Sequence, residues 1–171
     1  ITERGYHYLV ASRQGERNDH LDDFEEGDGW QEVVREPSPT NPGQQKTRVM
    51  VKRKVVGDEV HVLCRSDGRE AKDRAIREKH EQRLLGDLRK LQARVATGKL
   101  KDAAKVHEAI GRLKERYPRV ARYYAIGYEA STASVTWAEN GERKAMATRL
   151  DGGYLLKTDR PDLTDEEIWR T

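Results

Sequence analysis

Leu84, Leu88, Leu91 and Val95 recur at spacings of four and three, and Ala103, Val106, Ile110, Leu113 and Tyr117 repeat the pattern a few residues later. Stripes of this period run along one face of a helix and do not fit a strand. Between them lies Thr97-Gly98-Lys99, where glycine suits a helix end because it takes positive φ without cost. The expectation is a long antiparallel helical hairpin over 67–118. Asp67 is the expected N-cap, with Glu70 three residues on, and no proline interrupts the run before Pro118. Counted back from Leu84, the seam face carries Glu81, Arg77 and Arg74. That half of the first helix is polar all round and is expected to project into solvent or to meet a partner.

The hairpin is also the basic element. Residues 65–122 hold 18 Lys and Arg against 9 Asp and Glu, whereas the flanks carry 9 against 12 and 6 against 9, although net charge is only +3. Lys72, Lys79, Arg83, Lys90 and Arg94 on the first helix, with Lys101, Lys105 and Arg112 on the second, lie opposite the seam and are candidate DNA-backbone contacts. The plainer reading is a solvated helix face, which the interspersed Glu78, Asp87 and Glu108 favour.

With 35% hydrophobic and 37% charged residues there is little material for a large core, so an extended or incomplete domain is expected. The single cysteine, Cys64, leaves no partner for an internal disulfide and no cysteine-rich zinc site, which fits a reducing cytoplasm. No apolar run is long enough to span a membrane. The opening Ile1-Thr2-Glu3-Arg4 has neither Met nor a signal core, so the chain reads as cut from a longer one.

In chain order, residues 1–4 read as a helix end and Tyr6 to Val10 as a buried strand. Gln14 to Gly29 reads as an acidic loop without the ligand spacing of a calcium loop, and no metal is assigned there. Trp30 to Arg35 is a strand, followed by a proline-rich loop over 36–43. Val49, Val51 and Val55 alternate with Met50, Lys52 and Lys54, and Val60, Val62 and Cys64 alternate with His61 and Leu63, with Gly57-Asp58 as the turn of a β-hairpin between them. Further strands are expected at Tyr123 to Ile126, at Ala133 to Glu139 and Arg143 to Arg149 joined through Asn140-Gly141, and at Tyr154 to Thr158. Thr164 and Glu167 form a capping box for a final helix. No local motif completes a catalytic site, and His7, His20, His61, His80 and His107 each read as surface or interface histidines.

The stretch Asp151-Gly152-Gly153-Tyr154-Leu155-Leu156-Lys157-Thr158-Asp159, followed by Leu163-Thr164-Asp165-Glu166-Glu167-Ile168, resembles the end of the catalytic domain of bacterial insertion-sequence transposases of the DDE type. There a "DG" strand leads into a capped helix that carries the last catalytic acid. Gly5 to Arg13 resembles the strand after the second catalytic aspartate. The helix start Arg69-Glu70-Ala71-Lys72-Asp73-Arg74 with its hairpin resembles the insertion before the final helix. The resemblance spans essentially the whole chain, and the order of its loose motifs is what makes it specific.

The resemblance implies an α+β fold: a partial RNase H-like core with inserted antiparallel β-strands and the long antiparallel helical hairpin. Three carboxylates would hold two Mg2+ or Mn2+ ions about 4 Å apart for phosphodiester hydrolysis and strand transfer. Implied partners are transposon-end and target DNA, with self-association of the intact enzyme in the bacterial cytoplasm. The first two aspartates would precede Ile1 and the catalytic glutamate would follow Thr171, so no catalytic residue, and no metal ligand, is assigned here. Glu166 and Glu167 sit at the helix start and read as capping and dipole residues. The expected segments are 1–35, core strand and acidic loop; 36–66, inserted β-hairpin; 67–118, helical hairpin; 119–159, strands returning to the core; and 160–171, the start of the last helix. A non-enzymatic helical-hairpin interaction module is the alternative that the seam and charge pattern also allow.

Overall fold

A computed structural model describes residues 5–37, 39–43 and 45–171, so the helix end expected over 1–4 lies outside the described residues. The chain is α+β with antiparallel sheets and divides into two units, residues 1–73 with 149–171 and residues 74–148.

The first unit is built on five antiparallel strands in the order β1-β7-β4-β3-β2: β1 Leu9–Ala11, β2 Gln31–Arg35, β3 Thr47–Val56, β4 Glu59–Arg65 and β7 Gly153–Thr158. The valine alternation explains the hairpin of β3 and β4, with Val55 opposite Val60 and Gly57 (φ 61°) at the first turn position, where positive φ is needed. Alternation also splits the sheet into two faces. Val49, Val51, Val60, Val62 and Cys64 pack with Ile168 of the terminal helix α6 (Asp165–Arg170), while Leu63 and Leu155 pack with Phe24 and Leu150. Burial pushes the Cys64 thiol up to about 12, so it behaves as an inert core residue.

Helix α6 carries the expected capping box: Thr164 accepts from Glu167 N–H, and the Glu167 carboxylate reaches back to the Thr164 backbone. Arg53 ties the same corner to β3 through Asp165 at 2.6 Å. Replacing Thr164 with Ala is expected to cost about 1 kcal/mol, read as a drop in the denaturant midpoint at unchanged slope.

Several expectations over the first unit are corrected. Residues 14–29 hold a 3-10 turn, Glu16–His20, and a short helix α1, Leu21–Glu25, in place of a loop. Phe24, 1% exposed, is what draws that segment onto the sheet. β1 is an edge strand shorter than expected and exposed at Val10, because Tyr8 N–H turns to the Asp159 carboxylate at 3.0 Å instead of entering the ladder. His20 and His61 are buried rather than at the surface.

In the second unit the seam residues Leu84, Leu88, Leu91 and Val95 of α2 (Asp67–Ala96) lie in one buried cluster with Val106, Ile110 and Leu113 of α3 (Ala103–Arg116). The first helical residue is Asp67 itself, so Ser66 occupies the cap position, its carbonyl accepting from Glu70 N–H. Gly98 takes φ 68°, and Asp102 caps α3 by accepting from the N–H groups of Ala104 and Lys105. Glu81, on the polar continuation of the seam, accepts from the Tyr124 hydroxyl and pairs with Lys144 at 2.8 Å, so its partners are side chains of this same unit. β5 (Tyr124–Glu129) and β6 (Ser134–Glu139) form a two-stranded ribbon.

A short helix α4, Pro118–Ala121, follows α3, and the strand expected at Arg143 to Arg149 is instead helix α5, Gly141–Arg149. Asn140 does not turn a hairpin there. Its side chain accepts from Arg143 N–H at 3.0 Å and its carbonyl from Lys144 N–H, which starts a helix through residues with good helical propensity and one β-branched member, Thr148. β6 therefore has β5 as its only ladder partner among the described residues. Among those residues no helix is long and apolar enough to cross a membrane.

Candidate nucleic-acid interface

All eight cations expected at the interface are exposed. The structure gathers six of them at two adjoining concavities of the second unit, along α2 and α3. The first, about 520 Å³, is rimmed by Lys90, Arg94, Lys105, Arg112 and Arg116 over a floor that includes Leu91, Leu100 and Leu113. The second, about 500 Å³, is bordered by Lys79, Arg83, Lys90 and Tyr117. The cations of the first therefore flank a groove whose floor contains seam residues, where the sequence put them opposite the seam. Lys101 lies in the connection between the helices, and Lys72 belongs to the part of α2 in the first unit.

Seven cations meet two carboxylates, Asp87 and Glu108, around the two concavities. Asp87 joins them: it accepts from the Tyr117 hydroxyl at 2.9 Å and pairs with Lys90 at 3.3 Å and Arg116 at 3.6 Å. The Tyr117 hydrogen bond leads in holding its carboxyl below the usual range, against burial, with Lys90 and Arg116 adding to it. Glu108 pairs with Arg112 one turn away. Among the described residues Lys79, Arg83, Arg94 and Lys105 carry no ion pair, so their charge is uncompensated at close range. A surface of this kind attracts a polyanion through phosphate contacts, without reading its sequence.

Arg116 was not among the cations expected there, although it stands one helical turn beyond Arg112 on the same face. Among the described residues no three His, Cys, Asp or Glu side chains converge to hold a metal ion. Four acids of the 14–29 segment are held in ion pairs: Glu16 with Lys157, Asp23 with Lys54, Glu25 with Arg149 and Glu26 with Lys52. Glu167 is held in the capping box, and Glu166 pairs with Arg170.

No family model matches this sequence, and neither the curated proteins nor the solved structures give a match.

Proposed function

We propose that this chain is a piece of the catalytic domain of a bacterial DDE transposase, an enzyme that cuts and joins DNA at insertion-sequence ends. One observation carries the reading: the three stretches that resemble the family, far apart in sequence, adjoin in one unit. β7 of the "DG" stretch lies between β1, from the Gly5 to Arg13 stretch, and β4. The turn before it meets the start of α2, where Gly152 N–H donates to Asp73 at 3.2 Å and Ser66 N–H to the Gly152 carbonyl at 3.2 Å. Arg69 stacks on the Tyr154 ring, 4.7 Å from its centroid.

On this reading an RNase H-like core is completed by chain outside residues 1–171, which brings the three carboxylates for Mg2+ or Mn2+. The helices α2 and α3 fold back as an inserted antiparallel hairpin, and their basic concavities lie on the backbone of transposon-end or target DNA. The intact enzyme self-associates and works in the bacterial cytoplasm. The test is a cleavage assay on transposon-end DNA with magnesium or manganese. This chain alone is expected to be inactive, and a chain extended through two upstream acid-bearing strands and the rest of the last helix is expected to cut. Cutting by the short chain, abolished by Glu166→Gln or Glu167→Gln, would place the catalytic acid two helical turns earlier than proposed.

A second reading, a non-enzymatic interaction module, is favoured by one observation: residues 74–148 have their own buried cluster and carry both basic concavities. An extended chain that binds DNA but never cuts it would support that alternative.

A further inference from the structure

Gly86 is a glycine that the fold does not require. It lies in the interior of α2, where glycine suits a helix less well than alanine because it gives up more backbone freedom on folding. Its φ is not positive, and a Cβ placed there meets nothing within 4 Å, so neither backbone strain nor packing calls for a missing side chain. The space beside it is the second concavity, about 500 Å³, which Gly86 lines with Lys79, Arg83, Lys90 and Tyr117. Gly111 of α3 differs in this respect. It too sits inside a helix with nothing within 4 Å of a Cβ, yet it borders neither concavity. Open space alone therefore does not mark a site, and the cations around Gly86 do.

The charges decide what fits the space. Arg83 stands three residues before Gly86 and Lys90 four after it, so both flank the glycine on the helix surface. Lys79 and Arg94 continue the row one turn further out on either side. The four cations spread over about 22 Å of helix axis. Lys79, Arg83 and Arg94 carry no ion pair among the described residues. The carboxylate at this concavity, Asp87, is engaged by the Tyr117 hydroxyl, Lys90 and Arg116, which leaves the Lys79 and Arg83 side of Gly86 positive. A row of cations with bare backbone at its middle suits an extended polyanion that passes close to the helix. A DNA strand is such an anion, with a phosphate charge roughly every 3.4 Å, so cations on both sides of Gly86 are met at once.

We propose that Gly86 is where a DNA backbone lies closest to α2, with phosphates held by Lys79 and Arg83 before it and by Lys90 and Arg94 after it. This rests on the reading of the concavities as a DNA interface and adds where the strand lies on it. The missing side chain lets the strand settle to the level that Arg83 and Lys90 reach. Any larger side chain at position 86 fills that space and lifts the strand off both. Asp87 bounds the path, because its carboxylate repels phosphate and keeps the strand to the cationic side of the glycine.

The experiment measures binding of a short fluorescent DNA duplex across a salt series, for the unmodified chain, Gly86→Leu, Gly86→Ala and Gly111→Leu, with a thermal melt of each. None of these changes alters charge, so a change in salt slope reports lost phosphate contacts. Gly86→Leu should bind about tenfold more weakly, the loss of one or two charge-assisted contacts. Its slope of log K against log salt should be shallower by about 0.9 for each phosphate released. Gly111→Leu should bind within about twofold of the unmodified chain, because it adds the same side chain away from the row. All three variants should keep or raise Tm, since each puts a better helix former into open space. Gly86→Leu binding as tightly as Gly111→Leu, at the unmodified slope, would overturn the proposal and leave the interface standing. No DNA binding by the unmodified chain would overturn both. A polyglutamate peptide that displaces the duplex at lower charge concentration than unlabelled duplex does would assign the row to an acidic polypeptide and overturn the proposal as well. If leucine disturbs the fold, Gly86→Ala decides: weaker binding than the unmodified chain is expected, and equal binding overturns the proposal.

Discussion

Leu88→Ala is expected to destabilise the protein by about 2 to 5 kcal/mol, and Ile110→Ala by an amount in the lower part of that range. Leu88 is fully buried among the seam residues of α2 and α3, whereas Ile110 keeps 5% of its surface exposed. Truncation removes transfer free energy and leaves a cavity lined by residues on regular helices that can relax only partly. For a chain of this size each kcal/mol corresponds to about 2 to 4 °C in Tm, so thermal melts resolve the effect easily. Arg89→Ala, at an exposed position beside Leu88, should stay within about 0.5 kcal/mol of the unmodified protein. Melts in which all three variants coincide would mean that the helices do not pack through these residues.

Gly152→Ala is expected to cost about 2 to 5 kcal/mol, from positive-φ strain together with a backbone clash. Gly152 has φ 72°, and a Cβ there would stand 2.6 Å from the Ser66 carbonyl oxygen and 2.9 Å from Glu70 Cβ. Neither is the end of a flexible side chain, so the turn and the start of α2 would have to separate. Gly57→Ala supplies the comparison. Gly57 also has positive φ, but a Cβ there meets nothing within 4 Å, so about 1 to 2 kcal/mol of strain is expected without a clash. Denaturant melts of the two variants read the difference directly. Equal costs would show that the close approach of the Asp151-Gly152-Gly153 turn to α2 is not what requires glycine.

These positions also show what sequence can and cannot disclose. The seam was legible because its residues answer to a single buried surface, which imposes the helical period. β3 was legible because one packed and one polar face impose alternation, and β4, buried on both faces, because the Gly57-Asp58 turn pairs it with β3. The capping box was legible because its partners are three residues apart. The 16–25 segment was not, since its burial rests mainly on Phe24 and His20 amid acids, too few apolar positions to create a period. Asn140-Gly141 misled because asparagine's short side chain serves a helix cap as well as a tight turn, and only the residues beyond decide. β7's place between β1 and β4 depends on pairings some 90 to 150 positions apart, which no local pattern records. The exposed cations of α2 and α3 could be placed from helix faces, but the concavities depend on the gap between two helices. The His20–His61 contact joins residues 41 positions apart through a segment that looked like a loop.

The most direct measurement on the proposed interface is the salt dependence of duplex DNA binding by this chain, compared with a variant in which Lys79, Arg83, Lys90 and Arg94 are all changed to Gln. Each phosphate that the variant no longer neutralises should reduce the slope of log K against log salt by about 0.9, so its slope should be shallower by between about 1 and 4. A control variant with Lys99→Gln and Lys114→Gln, exposed cations outside both concavities, should keep most of the original slope. An unchanged slope in the fourfold variant, at unchanged thermal stability, would contradict the interface and leave these cations as a solvated helix face.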